Sequence, residues 1–171
     1  MVGAGISGAL VAEALSRAGR KVLVLDRRRA VRGSTPASTA MIQHEIDVPL
    51  SRLIRQTGRA RAEGAWLRSV RAVGDLVALT RRLKIDCDMQ PKRALYLAGD
   101  DMGWRGLKTE AEARHAAGIA CEYLSRAALR ERFGIDRTAG IVSDASASAN
   151  PAQLAAGLLA AAVARGAVIA E

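Results

Sequence analysis

Residues 1–26 read MVGAGISGALVAEALSRAGRKVLVLD. Gly3, Gly5 and Gly8 spell G-x-G-x-x-G, and an acid, Asp26, closes the apolar run that follows. Each part of this pattern has a mechanical use. Gly3 permits a tight turn out of a strand. Gly5 carries no side chain, so a pyrophosphate can approach the backbone. Gly8 lets the next helix lie close to the sheet. That helix presents free N–H groups and the positive end of its dipole to phosphate oxygens. A carboxylate ending the following strand accepts hydrogen bonds from a ribose. The surroundings agree with this reading. Ala12 and Leu15 supply an apolar helix face, and Gly19 stands where a helix-ending glycine belongs. Val22, Leu23, Val24 and Leu25 are apolar without alternation, as in a parallel strand buried on both faces. Only Val2 stands between Met1 and Gly3, so the first strand is nearly absent.

Beyond Asp26 comes a basic turn, Arg27-Arg28-Arg29, and then Gly33-Ser34-Thr35-Pro36-Ala37-Ser38-Thr39-Ala40-Met41-Ile42. Pro36 suits the first turn of a helix capped by Ser34 or Thr35, a second place to hold a polar or anionic group. A nicotinamide-binding Rossmann domain would next supply another strand and helix. Instead the sequence predicts helices over residues 48–56 and 61–83, the longer one striped by Trp66, Val70, Val73 and Val77, with Leu76, Leu79 and Leu83 beside them. A mixed segment follows: strands at 93–97, 121–124 and 141–142, helices at 104–117 and 126–133. The Ser/Ala-rich run 143–149 reads as the return from it. Asn150-Pro151 then caps a helix stopped by Gly166, and a strand follows over residues 167–170. Val22–Leu25 and Val168–Ile169 are expected in one parallel sheet.

The chain has 171 residues, half of them hydrophobic but only 3% aromatic, and a net charge of +9. The arginines are scattered along helices, and few aromatic rings are available for base stacking. The charge therefore reads as a solvated helix surface, and no nucleic acid is expected as a partner. Cys87 and Cys121 are far apart, which argues against a metal site or a disulfide framework and suits a reducing, cytoplasmic setting. The apolar stretch 152–170 contains Gln153, Arg165 and Gly166, so it reads as a buried helix and strand and not as a membrane span. His44 reads as a surface or capping histidine ahead of any role beside a cofactor, and His115 as a surface one.

Three segments together resemble the N-terminal part of FAD-dependent oxidoreductases of the D-amino-acid oxidase type. They are VGAGISGALVAEALSRAGRKVLVLDR, GSTPASTAMIQHEID and SASANPAQLAAGLLAAAVARGAVIAE. The resemblance implies an α/β fold: a glutathione-reductase-type, Rossmann-like FAD domain interleaved with part of a mixed α+β substrate domain, incomplete at both ends. It implies a first FAD-domain piece over 1–88, a substrate-domain piece over 89–143, and a return over 144–171. It implies cofactor contacts from Gly3, Gly5, Ile6, Ser7 and Gly8, from Asp26 with Arg27 beside it, and from Ser34, Thr35, Ser38, Thr39 and Met41. Some members attach flavin through a histidine in the second segment. Ala37 stands at that position here, so non-covalent FAD is expected. The implied activity removes a hydride equivalent from the carbon beside the nitrogen of an amino acid or related amine. The missing C-terminal portion of the same fold would be a partner of this chain. No catalytic residue stands out. A nicotinamide-dependent dehydrogenase module and a non-enzymatic basic binding module are the alternatives.

Overall fold

The computed structural model describes residues 1–171. They form six helices and six strands: α1 (Ile6–Arg17), β1 (Leu23–Leu25), β2 (Met41–Gln43), α2 (Leu50–Thr57), α3 (Arg59–Leu83), β3 (Gln90–Leu97), α4 (Trp104–Ala116), β4 (Cys121–Ser125), α5 (Arg126–Phe133), β5 (Ala139–Ser148), α6 (Pro151–Val163) and β6 (Val168–Ala170). A short 3-10 helix covers Thr35–Ala37. The chain divides into two compact units, one of residues 1–41, 76–90 and 148–171, the other of residues 42–75 and 91–147. Compared with the expected division at 88 and 143, residues 42–75 fall in the second unit.

In the first unit β1 and β6 pair in parallel, Leu23 opposite Val168 and Leu25 opposite Ala170. The two strands are far apart in sequence and share one sheet, as both being apolar and helix-preceded requires. The first strand is reduced to a single bridge from Val2 to Leu25. Helices α1 and α6 pack on each other, and their small residues Ala9, Ala12, Ala155 and Ala162 join Val24, Leu158 and Leu159 in one core. Two expectations change here. β1 is buried on one face only: Val22 and Val24 are inside, while Leu23 and Leu25 are 49% and 43% exposed. Leu15 is likewise exposed, and the inner face of α1 is made of Gly8, Ala9, Ala12, Glu13 and Ser16. Glu13 is tolerated inside because Arg17 and Arg165 each reach its Oε1 at 3.3 Å.

In the second unit β5 is the central strand, with β3 on one side and β2 and β4 on the other. β4 runs antiparallel to it, Cys121 opposite Ser143 and Ser125 opposite Ala139. The 143–149 run, expected as a connection, is therefore mostly strand. Its small side chains have low strand preference, but a central position supplies ladder hydrogen bonds on both edges and packing for Ser143, Ser146 and Ala147, which are buried. β2 was not anticipated either. The expected helix from Pro36 lasts one 3-10 turn, after which Ser38 is extended and Ala40 takes a left-handed φ of 54°. Small cores form around Leu107, Ala111 and Ile141, around Leu50, Ala62, Trp66 and Ile119, and around Leu124, Leu129 and Val142.

Candidate functional site

The turn between Val2 and α1 is fixed at its first end by backbone. Leu25 donates its N–H to the Met1 carbonyl at 2.9 Å, and Gly3 donates to the Leu25 carbonyl at 2.7 Å. Gly3 holds a φ of 100°, the left-handed region that a side chain disfavours. At Gly8 a Cβ would lie 1.9 Å from the Gly3 carbonyl oxygen. The third glycine is thus demanded by the loop's own backbone, and not only by the approach of helix to sheet.

Asp26 stands beside this turn at the end of β1. Its Oδ2 accepts the Ala4 N–H at 2.8 Å and its Oδ1 accepts the Arg28 N–H at 3.0 Å. These two hydrogen bonds, Ala4 first, hold the carboxyl below its ordinary pKa, with the Arg28 and Arg27 charges adding to them. The side chain is therefore a carboxylate at neutral pH with lone pairs to spare. Thr35 supplies the third fixed contact: it is 6% exposed, and its Oγ1 accepts the Ile6 N–H at 3.0 Å. The N–H groups of Gly5, Ser7 and Gly8 are left without a protein acceptor at the start of a twelve-residue helix that has no side-chain cap.

Of the residues singled out in the sequence, the structure brings Gly3, Gly5, Ile6, Ser7, Gly8, Asp26 and Thr35 together. Arg27, Ser34, Ser38, Thr39 and Met41 are exposed, Met41 by 65%. Ser38 serves its own turn, accepting the Ala40 N–H at 3.1 Å. His44 is not on the surface. It is fully buried in the second unit, with Nδ1 3.0 Å from the Ala145 carbonyl and its ring edge-on to Trp66. His115 is exposed, as anticipated.

Sequence reasoning missed a buried polar cluster around Arg114 in that unit. Arg114 is 2% exposed and reaches Glu110 at 2.9 Å, Glu45 at 3.3 Å and the Ser143 hydroxyl at 3.1 Å, with its guanidinium over the Trp66 ring. Glu110 also accepts the Leu50 and Ser51 N–H groups, at 2.9 and 2.7 Å, and so caps α2. The spacing of Glu110 and Arg114, one helical turn, was the available signal. The scattered arginines read together as solvated helix surface, and this pair is not singled out among them.

The chain as a whole has counterparts among known proteins. The family model for FAD-dependent oxidoreductases, DAO, matches residues 1–171. The chain belongs to this family. Its fold is similar to that of L-proline dehydrogenase from P. horikoshii, at a TM-score of 0.74 and 19% identity, covering 99% of this chain and 42% of that one. It is similar too to L-α-glycerophosphate oxidase from Mycoplasma pneumoniae, a structure with FAD bound, at 0.71 and 20%, covering 98% and 42%. A Bacillus subtilis (strain 168) protein, YhfW, provisionally named a Rieske 2Fe-2S iron–sulfur protein, is 24% identical over 119 residues, which is 70% of this chain and 23% of YhfW. The chain thus spans well under half the length of each of these relatives. No helix is long and apolar enough to cross a membrane.

Proposed function

We propose that this chain forms the FAD-holding part of an oxidoreductase that oxidises the bond between carbon and nitrogen in an amino acid or related amine. Family membership supports the cofactor. The observation that carries the reading is the cradle at the start of α1, where three amide N–H groups lack acceptors on a turn to which the Asp26 carboxylate is bonded. A pyrophosphate fits such a cradle: it is anionic, needs several donors and must approach bare backbone.

In this reading the Gly5, Ser7 and Gly8 amides bind the pyrophosphate. The Asp26 carboxylate, kept ionised by its two backbone donors, accepts from ribose hydroxyls. Arg27 lies beside it, and Ser34, Ser38, Thr39 and Met41 line the approach toward the flavin end. When bound, the flavin supplies the acceptor for a hydride equivalent from the substrate. The chain's own groups orient and retain it. The unit of residues 1–41, 76–90 and 148–171 is assigned to the cofactor, and the other to the substrate side. A nicotinamide module fits less well, because the chain after β1 goes to a 3-10 turn and to β2 and adds no further strand to the β1–β6 sheet.

The full-length protein purified from cells should be yellow, and acid precipitation should release all of its flavin, because Ala37 offers no group for a covalent bond. Replacing Asp26 with Ala should weaken FAD about tenfold or more, the scale of losing charge-assisted hydrogen bonds. Colourless protein that takes up no added FAD would refute the assignment. Flavin left on the peptide would refute its non-covalent form, and unchanged affinity would remove Asp26 from the site.

A further inference from the structure

Gly5 is the second glycine of the loop, and its backbone does not require one. Its φ is −86° and its ψ −168°, extended values that any residue adopts. What excludes a side chain is space. A Cβ built on Gly5 would lie 2.9 Å from the Thr35 hydroxyl oxygen, nearer than real Cβ atoms come to a neighbour. That oxygen is not free to retreat. Thr35 is buried at the start of a 3-10 turn whose next residue is Pro36, the turn packs on α6, and the oxygen is bonded to the Ile6 N–H at 3.0 Å. The space that Gly5 leaves open is therefore already taken within the protein, before any ligand arrives.

We propose that Thr35 is a positioning residue for the phosphate loop, and that Gly5 is glycine to admit the Thr35 hydroxyl as well as the ligand. The hydroxyl uses the Ile6 amide, so that amide is withdrawn from ligand binding, and the loop is held in shape with its Gly5, Ser7 and Gly8 amides presented. The consequence for ligand affinity rests on the proposed FAD reading; the lock itself does not. A preset loop pays no ordering cost when the ligand binds.

The test is a mutant cycle in the full-length protein with two readouts: the melting temperature of the flavin-free protein, and the dissociation constant for FAD from flavin fluorescence. Thr35→Ala should lower the melting temperature of the wild-type background, where it removes a hydrogen bond. In the Gly5→Ala background it should raise it, where it removes the obstructing oxygen. That reversal of sign is the signature of direct contact. Thr35→Ser, which keeps the acceptor, should bind FAD within about twofold of wild type. Thr35→Val, which keeps the volume and loses the acceptor, should bind about 3- to 10-fold more weakly. Additive melting penalties for Gly5→Ala and Thr35→Ala would overturn the proposal, as would wild-type FAD affinity in Thr35→Val. If the protein binds no FAD at all, the functional reading falls and the flavin-free cycle still decides the lock.

Discussion

At the scale of single residues, the carboxylates show how burial and hydrogen bonding compete. Burial pushes the Glu110 carboxyl up, but hydrogen bonds from Ser51, Arg114 and Leu50 outweigh it and hold the group below its ordinary value of 4.5. A depressed folded pKa gives stability that is complete above the unfolded pKa and is lost as pH falls through the folded one. The melting temperature should therefore stay level from pH 7 to 5 and fall below about pH 4.5. Glu110→Gln should flatten part of that acid limb. At neutral pH Glu110→Ala should cost about 3–5 kcal/mol, because it strips a buried cation of a partner and uncaps α2 together. Chemical denaturation at pH 7 and pH 4 measures both. An acid limb equally steep in Glu110→Gln would show that other carboxylates control it. Asp26 carries the same sign of shift, from the Ala4 and Arg28 N–H groups, and so contributes to the same acid limb.

At the scale of elements, α6 has the clearest local code. Asn150 Oδ1 accepts the Ala152 and Gln153 N–H groups, each at 3.1 Å, and Pro151 occupies the first helical position, where a missing N–H costs nothing. Asn150→Ala should therefore lower stability by about 0.5–2 kcal/mol, while Asn150→Asp or Asn150→Ser should cost less. A loss below the resolution of a urea titration would mean that tertiary packing alone fixes the start of α6. That packing is close: Ile85 lies against Gly157, where an added Cβ would come within 2.4 Å of it. The cap was legible in the sequence because capping depends on one residue and the next three amides. The strand character of residues 143–148 was not, because its cause is the pair of neighbouring strands on either side.

At the scale of the whole molecule, the first unit leaves one face of its sheet bare. Leu23, Leu25 and Val168 are 49%, 43% and 57% exposed, and the pairing of Leu23 with Val168 puts them on one side. Exposed apolar strands with unpaired edges favour association. Residues 1–171 expressed alone should form soluble aggregates or larger assemblies, seen as a high scattering mass, and should hold little flavin. A cooperatively melting monomer with one FAD would show that the unit is self-sufficient.

The sequence by itself determined the loop, the six α-helices, the glycine stops, the Ser125 and Asn150 caps, and the pairing of β1 with β6, because each depends on short-range spacing and on apolar pattern. Through its three segments it also pointed to the FAD-dependent family. Only the tertiary structure decided what those residues touch. It used Thr35 to hold the Ile6 amide, turned Asp26 onto the loop backbone, and buried Glu110, Arg114, whose type reads as solvated surface, and His44, expected as a surface or capping residue. Burial of a charge becomes acceptable when partners arrive from elsewhere in the chain, as Glu45 and Ser143 do for Arg114, and no local pattern records that arrival.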